Sequence, residues 1–186
     1  MNSYDIAKQF KMLSTEEVDL LKKCAAMLPH NPVVVNIGAN VGTSSIAVLE
    51  ARPDAVVFSI DINPNILERS NAEDCGIDAS RIIRILQSSQ EVGRSFPYQV
   101  DMVFVDGGHT DEDLRGDIDG WIPKTKYIAV YHDYHHPNYK DKPNINLDTI
   151  VDKAMKDWYK IGKARYMVAF ARQETQGLIQ GDYVID

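Results

Sequence analysis

The segment Val33-Val-Val-Asn-Ile-Gly-Ala-Asn-Val-Gly-Thr-Ser-Ser45 decides the fold. Its first five residues form a short run rich in β-branched side chains, which is typical of a strand buried on both faces of a parallel sheet. Gly38 and Gly42 follow, and glycine lets the backbone turn tightly and approach a ligand closely. The next residues, 45–51, are helical in composition. The segment therefore predicts a strand, a glycine turn and a helix, in that order.

The same alternation recurs along the chain. Further strands are predicted at 56–60, 81–86, 101–105 and 127–131, and helices at 14–28, 65–75, 111–122 and 147–159. This order predicts an α/β fold with a doubly wound, mostly parallel sheet. Near the end, residues 166–171 and 178–185 flank a turn-like segment and predict an antiparallel hairpin at the sheet edge. Because no repeat or linker is visible, residues 1–186 are predicted to form a single domain.

Composition limits the classes of partner. The chain carries a net charge of -7, so a polyanion would be repelled on average and a nucleic-acid partner is not expected. No apolar run approaches membrane-spanning length, and the N-terminus is too polar for a signal peptide, so no membrane association and a cytoplasmic location are expected. Cys24 and Cys75 have no metal-ligand spacing and are expected to be reduced thiols.

Polar residues follow each predicted strand directly. In open α/β sheets, ligands bind outside the carboxyl ends of the strands, where these residues should meet. Asp61 comes one residue after the second strand, a position that suits a carboxylate accepting hydrogen bonds from ribose hydroxyls; a plain turn aspartate is the alternative. The glycine turn lacks the G-x-G-x-x-G spacing of dinucleotide sites, since Asn40 and Thr43 occupy two glycine positions. A nucleotide-dependent oxidoreductase is therefore disfavoured.

Four segments in this order resemble class I S-adenosylmethionine-dependent methyltransferases. Residues 35–45 are similar to their motif I, and Asp61 matches their acidic ribose-binding residue. The segments 101–110, with the pattern D-x-x-F-x-D-G-x-H, and 128–134, which contains H-D-Y, resemble a group of small sugar and antibiotic O-methyltransferases, some of which need magnesium. The resemblance implies a seven-stranded Rossmann-like sheet of order 3-2-1-4-5-7-6 with strand 7 antiparallel. It also implies methyl transfer to a small hydroxylated acceptor.

The resemblance implies a set of cofactor-binding residues in this sequence. They are Asn36, Gly38, Ala39, Asn40, Gly42, Thr43, Ser44, Asp61, Ile62, Ser88, Ser89 and Asp106. Three of them depart from the family pattern: Asn36 replaces an acidic residue, Asn40 a glycine, and Ser88 the aspartate near the adenine amino group. A fourth departure, Gly108, stands where metal-dependent relatives carry a catalytic aspartate. These departures leave open a degenerate protein that binds S-adenosylmethionine without catalysis.

Histidines and aspartates at the ends of the fourth and fifth strands are the candidate reacting groups. His109 and His132 flank the expected reaction centre, and imidazole can accept a hydroxyl proton near neutral pH. Asp106 and Asp133 end neighbouring strands, so both carboxylates could reach one Mg²⁺ or Mn²⁺ ion. The irregular stretch 135–146 and the N-terminal helical segment 1–28 are the segments that could cover an acceptor, with 135–146 as a lid. A homodimer that completes the pocket is a further expectation.

Overall fold

The predicted alternation of strands and helices is present in the computed structural model, which describes residues 1–64, 67–140 and 145–172. The strands are β1 Val33–Ile37, β2 Val56–Asp61, β3 Ile82–Leu86, β4 Val100–Val105, β5 Thr125–Tyr131, β6 Trp158–Ala164 and β7 Met167–Arg172. The helices are α1 Ser3–Phe10, α2 Thr15–Ala26, α3 Thr43–Ala51, α4 Leu67–Asp74, α5 Ser89–Ser95, α6 Asp111–Trp121, α7 Pro137–Lys140 and α8 Leu147–Ala154.

The seven strands form one sheet in the order β3-β2-β1-β4-β5-β7-β6. Strands β1 to β5 run parallel, and β7 pairs antiparallel with both β5 and β6. The strand order and the antiparallel edge implied by the resemblance are therefore confirmed. Because β1 to β5 are parallel, their carboxyl ends meet at one edge of the sheet, and the residues that follow them come together there.

Two hydrophobic layers cover the two faces of the sheet. On one face, Val34 of β1 packs with the apolar sides of α2 and α3, where Leu21 and Val48 are buried. On the other, Val35 packs in the cluster formed with α5, α6 and α8. The alternation of adjacent β1 residues between the faces follows from the two-residue repeat of a strand. Both faces of the central strands are thus covered by apolar side chains, which is why β1, β4 and β5 are rich in hydrophobic residues.

The C-terminal elements differ from the sequence prediction in two places. The predicted helix 147–159 ends at Ala154, and Trp158 already begins strand β6. The predicted strand 166–171 exists as β7, but its hairpin partner is the preceding strand β6. The predicted partner strand, 178–185, lies outside the described residues. The helical pattern was read too far because Trp158 and Tyr159 continue an apolar spacing that fits either a helix or a strand.

The N-terminal segment holds two helices, of which the sequence specified one clearly. Ser14 caps α2 and accepts a hydrogen bond from the backbone N–H of Glu17, while the Glu17 carboxylate accepts one from the backbone N–H of Ser14. This reciprocal capping box starts the helix as predicted.

Cys24 is buried on the inner side of α2, and both cysteines are free thiols. Among the described residues, no helix is both long and apolar enough to cross a membrane.

Candidate active site

A cleft of about 600 Å³ lies at the carboxyl ends of the parallel strands. This volume falls within the range of small-molecule sites, roughly 300–1,000 Å³. Most of the sequence-predicted site residues line it. They are Gly38, Ala39, Asn40, Thr43, Ser44, Asp61, Ile62, Ser88, Ser89, Asp106, His109, His132 and Asp133. The fold therefore brings the two groups of candidates, the glycine turn and the histidine–aspartate cluster, into one cavity.

The turn after β1 requires glycine at its first position. Gly38 has a φ of +80°, and a Cβ placed on it would lie 1.8 Å from the carbonyl oxygen of Asp106. No side chain fits that gap, so Gly38 brings the ends of β1 and β4 close together. Gly42, the residue that caps α3, also has a left-handed backbone, with a φ of +88°.

Asn40 replaces the middle glycine without distorting this turn. Its φ of +46° lies in the left-handed region, which asparagine tolerates better than most residues. Its backbone N–H donates to Oδ2 of Asp61 at 2.9 Å. The other Asp61 oxygen, Oδ1, accepts from the backbone N–H of Asn63 at 2.8 Å. Asp61 is thus a turn aspartate that also ties the glycine turn to β2, and its carboxylate still faces the cleft.

Two predicted cofactor-binding residues, Asn36 and Gly42, do not line the cleft. Asn36 is buried beneath the turn, where its amide donates to Ser45 Oγ at 2.8 Å and its carbonyl oxygen accepts from Ser44 Oγ at 3.0 Å. Ser45 in turn donates to the buried carboxylate of Glu68 at 2.8 Å. The side chains after β1 are therefore fixed from below by a polar network. Asn36 supports the site from within the core.

The histidine–aspartate cluster forms a dense set of opposite charges. Nε2 of His109 lies 2.7 Å from Oδ2 of Asp133. Nδ1 of His132 lies 3.0 Å from Oδ1 of Asp106 and 3.5 Å from Oδ1 of Asp133. The hydrogen bond with Asp133 raises the pKa of His109 above its ordinary value. The His109 ring stacks on Tyr139, with ring centres 5.0 Å apart, so its orientation is held on two sides.

His132 is surrounded by carboxylates on both of its nitrogens. Its Nε2 lies 3.4 Å from Oε1 of Glu17, which reaches the site from the first turn of α2. Burial alone would lower the pKa of His132, but Asp106, Asp133 and Glu17 outweigh it and raise that pKa to about 12. Neither ring nitrogen is aligned for a hydrogen bond, so charge attraction is the main interaction. This environment favours a fixed imidazolium over the proton acceptor predicted from the sequence.

Asp106, His109 and Asp133 also have the donor set of a divalent cation site. One ligand atom from each residue can be chosen so that all three lie within 4.8 Å of one another. Two carboxylate oxygens and an imidazole nitrogen suit Mn²⁺ well, and Mg²⁺ with added waters. The residues present therefore fit a cation. Without one, the imidazole groups of His109 and His132 contact the two carboxylates.

Several cleft residues were not among the individual site residues that the sequence analysis predicted. They are Lys11, Met12, Leu13, Gln90, Asp113, Asp117, His136, Asn138 and Tyr139. Lys11 and Met12 belong to the turn between α1 and α2, where the Asn40 amide donates to the Met12 sulfur at 3.3 Å. His136 and Tyr139 come from the start of the predicted lid 135–146. Its residues 141–144 lie outside the described part of the chain, so a lid remains a prediction.

Comparison with known proteins assigns the chain that forms this cleft to a family. A family model described as a methyltransferase domain matches residues 35–134, which is more than half of the 186 residues. The chain belongs to the methyltransferase domain family. The family consists of S-adenosylmethionine-dependent methyltransferases, and the glycine turn and Asp61 lie within the matched residues. No curated protein matches the sequence significantly.

Solved structures agree with the fold of the methyltransferase domain. A protein assigned as a caffeoyl-CoA O-methyltransferase from Staphylococcus aureus is 15% identical, with a TM-score of 0.68 over 92% of each chain. Magnesium protoporphyrin IX methyltransferase from Synechocystis, solved with S-adenosylmethionine bound, is 13% identical, with a TM-score of 0.60 over 84% of this chain and 76% of the other. A protein assigned as an rRNA-methylase from Clostridium thermocellum is 13% identical, with a TM-score of 0.63 over 86% of this chain and 99% of the other. Their named acceptors differ widely, so the fold does not identify the acceptor.

Proposed function

We propose that this methyltransferase domain transfers the methyl group of S-adenosylmethionine to a hydroxyl oxygen of a small acceptor. The observation that carries the proposal is the single cleft in which the glycine turn and Asp61 face the His109–Asp133 pair. Bound S-adenosylmethionine would supply a methyl group already activated by its sulfonium. The residues of the cleft must then align the acceptor, exclude water and remove the hydroxyl proton.

The cofactor would occupy the part of the cleft lined by the turn after β1 and by the ends of β2 and β3. Asp61 has two oxygens that each accept one backbone N–H, and an ionised carboxylate has about four acceptor sites. Two sites thus remain for the hydroxyls of a ribose. Ser88 and Ser89 begin α5 on the far side of Asp61. Asp106 would contact the cofactor from the end of β4.

His109 is the residue best placed to accept the acceptor's proton. Its Nε2 is held by Asp133, which fixes the neutral tautomer with the proton on Nε2 and leaves Nδ1 as the acceptor. The side chain is 45% exposed, so a substrate hydroxyl can reach it. His132, at 11% exposure and held between three carboxylates, would instead position Asp106 and Asp133.

The same cluster supports a second arrangement, in which a divalent cation takes part. Asp106, His109 and Asp133 would hold it, and a bound cation would lower the pKa of a coordinated acceptor hydroxyl. His109 would then be a ligand, and the proton would leave through solvent or another group. The two arrangements differ in one measurable property, the response of the rate to removal of metal.

The charge of the cleft favours a small acceptor without phosphate groups. Five aspartates line it, at positions 61, 106, 113, 117 and 133, whereas Lys11 is its one lysine or arginine among the described residues. Such a surface suits the positively charged sulfonium and ammonium of the cofactor and repels a nucleic-acid backbone. A second subunit that completes the acceptor pocket stays a prediction for solution measurements.

The test has a binding step and a transfer step. Calorimetric titration should show binding of S-adenosylhomocysteine and no binding of NAD. Binding of NAD without binding of S-adenosylhomocysteine would favour the hypothesis of a nucleotide-dependent oxidoreductase. Transfer of a labelled methyl group to a panel of sugars and aromatic diols is then measured with and without EDTA. His109→Asn should abolish transfer and keep binding. His135→Asn is the matched control, because His135 pairs with Asp148 and does not line the cleft.

Each outcome separates the alternatives. Loss of activity in EDTA that Mn²⁺ restores, together with an inactive Asp133→Asn variant, supports the cation arrangement. Activity that survives EDTA supports His109 as a metal-free base. Binding of S-adenosylhomocysteine with no transfer to any acceptor in the panel would favour the degenerate binding protein.

A further inference from the structure

Asp117 is a buried carboxyl group at the wall of the cleft that the proposed chemistry does not use. It lies on the inner side of α6 and is 1% exposed, yet it lines the cavity. Its Oδ1 accepts a hydrogen bond from the hydroxyl of Ser89 at the start of α5. Among the described residues, Oδ2 has no hydrogen-bond donor. A Cβ placed on Gly107 would lie 3.3 Å from that oxygen, so Oδ2 sits beside the cleft floor after β4.

An ionised carboxyl group in this position is energetically unfavourable. Burial of an ionised carboxylate without a full set of donors costs free energy, because the lost hydration is not replaced. Burial accordingly raises the pKa of Asp117 to about 6, against the opposing hydrogen bond from Ser89. Asp113, one turn earlier on α6, adds a repulsive charge. A ligand that places an N–H donor against Oδ2 would supply the missing hydrogen bond.

The direction of the cofactor along the cleft indicates which ligand group reaches Asp117. This step rests on the proposed function. If Asp61 at the end of β2 binds the ribose and methyl transfer occurs beside His109, then the methionine part extends from the ribose toward β4 and β5. The adenine is attached to the other side of the ribose and would lie against the residues after β3, which meet α6 through the hydrogen bond between Ser89 and Asp117. Those residues begin α5 with Ser89, the hydrogen-bond partner of Asp117.

We propose that Oδ2 of Asp117 accepts a hydrogen bond from the exocyclic amino group of the cofactor's adenine and thereby selects adenine over a 6-oxopurine. Adenine presents an N–H donor at its 6-position, whereas hypoxanthine presents a carbonyl oxygen there. A carboxylate pairs with the first and repels the second. A site that leaves a buried polar group unpaired rejects the wrong ligand strongly, by a factor of about 10⁴ in the best cases.

The experiment compares S-adenosylhomocysteine with S-inosylhomocysteine, in which the 6-amino group is replaced by a carbonyl oxygen and the neighbouring N1 carries a hydrogen. Dissociation constants are measured by calorimetry at pH 8 for the wild type, Asp117→Asn and Asp113→Asn. The wild type should prefer the adenine ligand at least thirtyfold. Asp117→Asn should reduce that preference at least tenfold, since its amide can donate to the 6-oxo group. Asp113→Asn is the matched control, because the Asp113 carboxylate also lines the cleft but both of its oxygens already accept hydrogen bonds, Oδ2 from Thr110 at 2.6 Å and Oδ1 from Gln90 at 3.4 Å.

The outcomes distinguish this inference from the proposed function. Tight binding of S-adenosylhomocysteine with less than threefold preference in the wild type overturns the role of Asp117 and leaves the methyltransferase proposal intact. Full preference in a folded Asp117→Asn variant, checked by circular dichroism, overturns it as well. Binding of neither ligand by the wild type refutes the proposed function and this inference with it. The wild-type comparison holds even if the variant fails to fold.

Discussion

Replacement of Asp61 by alanine is the perturbation that most directly tests the cofactor site. The Asp61 carboxylate accepts N–H groups from Asn40 at 2.9 Å and Asn63 at 2.8 Å, which leaves two acceptor sites for ribose hydroxyls. Each hydrogen bond to a charged group contributes about 1.5–3 kcal/mol, and the carboxylate is partly exposed, so the lower value applies. Two such bonds give about 3 kcal/mol, or roughly a hundredfold in affinity. Asp61→Ala should therefore weaken S-adenosylhomocysteine binding between tenfold and a hundredfold. Each tenfold loss of affinity corresponds to about 1.4 kcal/mol of binding free energy.

The contacts of Asp61 with the backbone demand a control for the shape of the turn. Alanine also frees the N–H groups of Asn40 and Asn63, so a loosened turn could weaken binding without any ribose contact. Titration with a 2′,3′-dideoxy analogue separates the two effects: a ribose contact predicts that the variant and the wild type bind this analogue almost equally. An equal loss for both ligands would show that Asp61 only shapes the turn, and unchanged binding of both would refute the cofactor assignment. Asp78→Ala, which removes a cap aspartate outside the cleft, should leave binding unchanged.

Three further predictions concern the same cleft. Asn40→Gly should bind S-adenosylhomocysteine as well as the wild type or better, whereas Asn40→Val should lose at least fivefold in calorimetry, because a β-branched residue resists the φ of +46°. Lys11→Gln should weaken S-adenosylmethionine binding about threefold to fivefold and leave binding of its decarboxylated analogue unaffected, since Lys11 is the one lysine or arginine of the described cleft and can face the cofactor carboxylate. The pKa of Asp117 is raised to about 6 in the folded state, so folding is favoured by protonation and stability falls as pH rises from about 4 to 6. Asp117→Asn should therefore become more stable relative to wild type by up to about 3 kcal/mol between pH 4 and pH 7 in urea unfolding, and a difference independent of pH would contradict this.

Local sequence patterns were sufficient for strands β1 to β5 and β7 and for one half of the site. Strand β1 occupies the residues predicted for it, Val33–Ile37, because a run of β-branched residues that ends at a glycine favours a buried strand over other structures. The capping box at Ser14 fixed the start of α2 in the same way. Since parallel strands share one edge, the residues after each strand could be assigned to one cleft without knowledge of any contact. The turn after β1 and Asp61 were found by that rule.

Contacts between distant segments decided the rest. The end of α8 and the start of β6 could not be separated by periodicity, because the choice depends on the ladder that Trp158–Ala164 forms with β7. Asn36 was predicted to bind the cofactor, but its side chain is buried in the core, where it forms hydrogen bonds with Ser44 and Ser45.

The chemistry of the cluster also depends on tertiary structure. Glu17 lies far from His132 in the chain, and its role in α2 was apparent only as a cap, yet it faces Nε2 of that histidine at 3.4 Å. The charge state of His132 follows from carboxylates on three different segments, and no local pattern contains that information. Asp117 likewise differs from the other aspartates of α6 only in the direction it faces and in its burial. By itself, the sequence determined which residue types gather at the edge of the sheet, because alternating strands and helices predict parallel strands whose carboxyl ends share one edge. Only the tertiary structure decided their partners, because hydration, charge and hydrogen bonding at each atom depend on segments that the chain brings together from a distance.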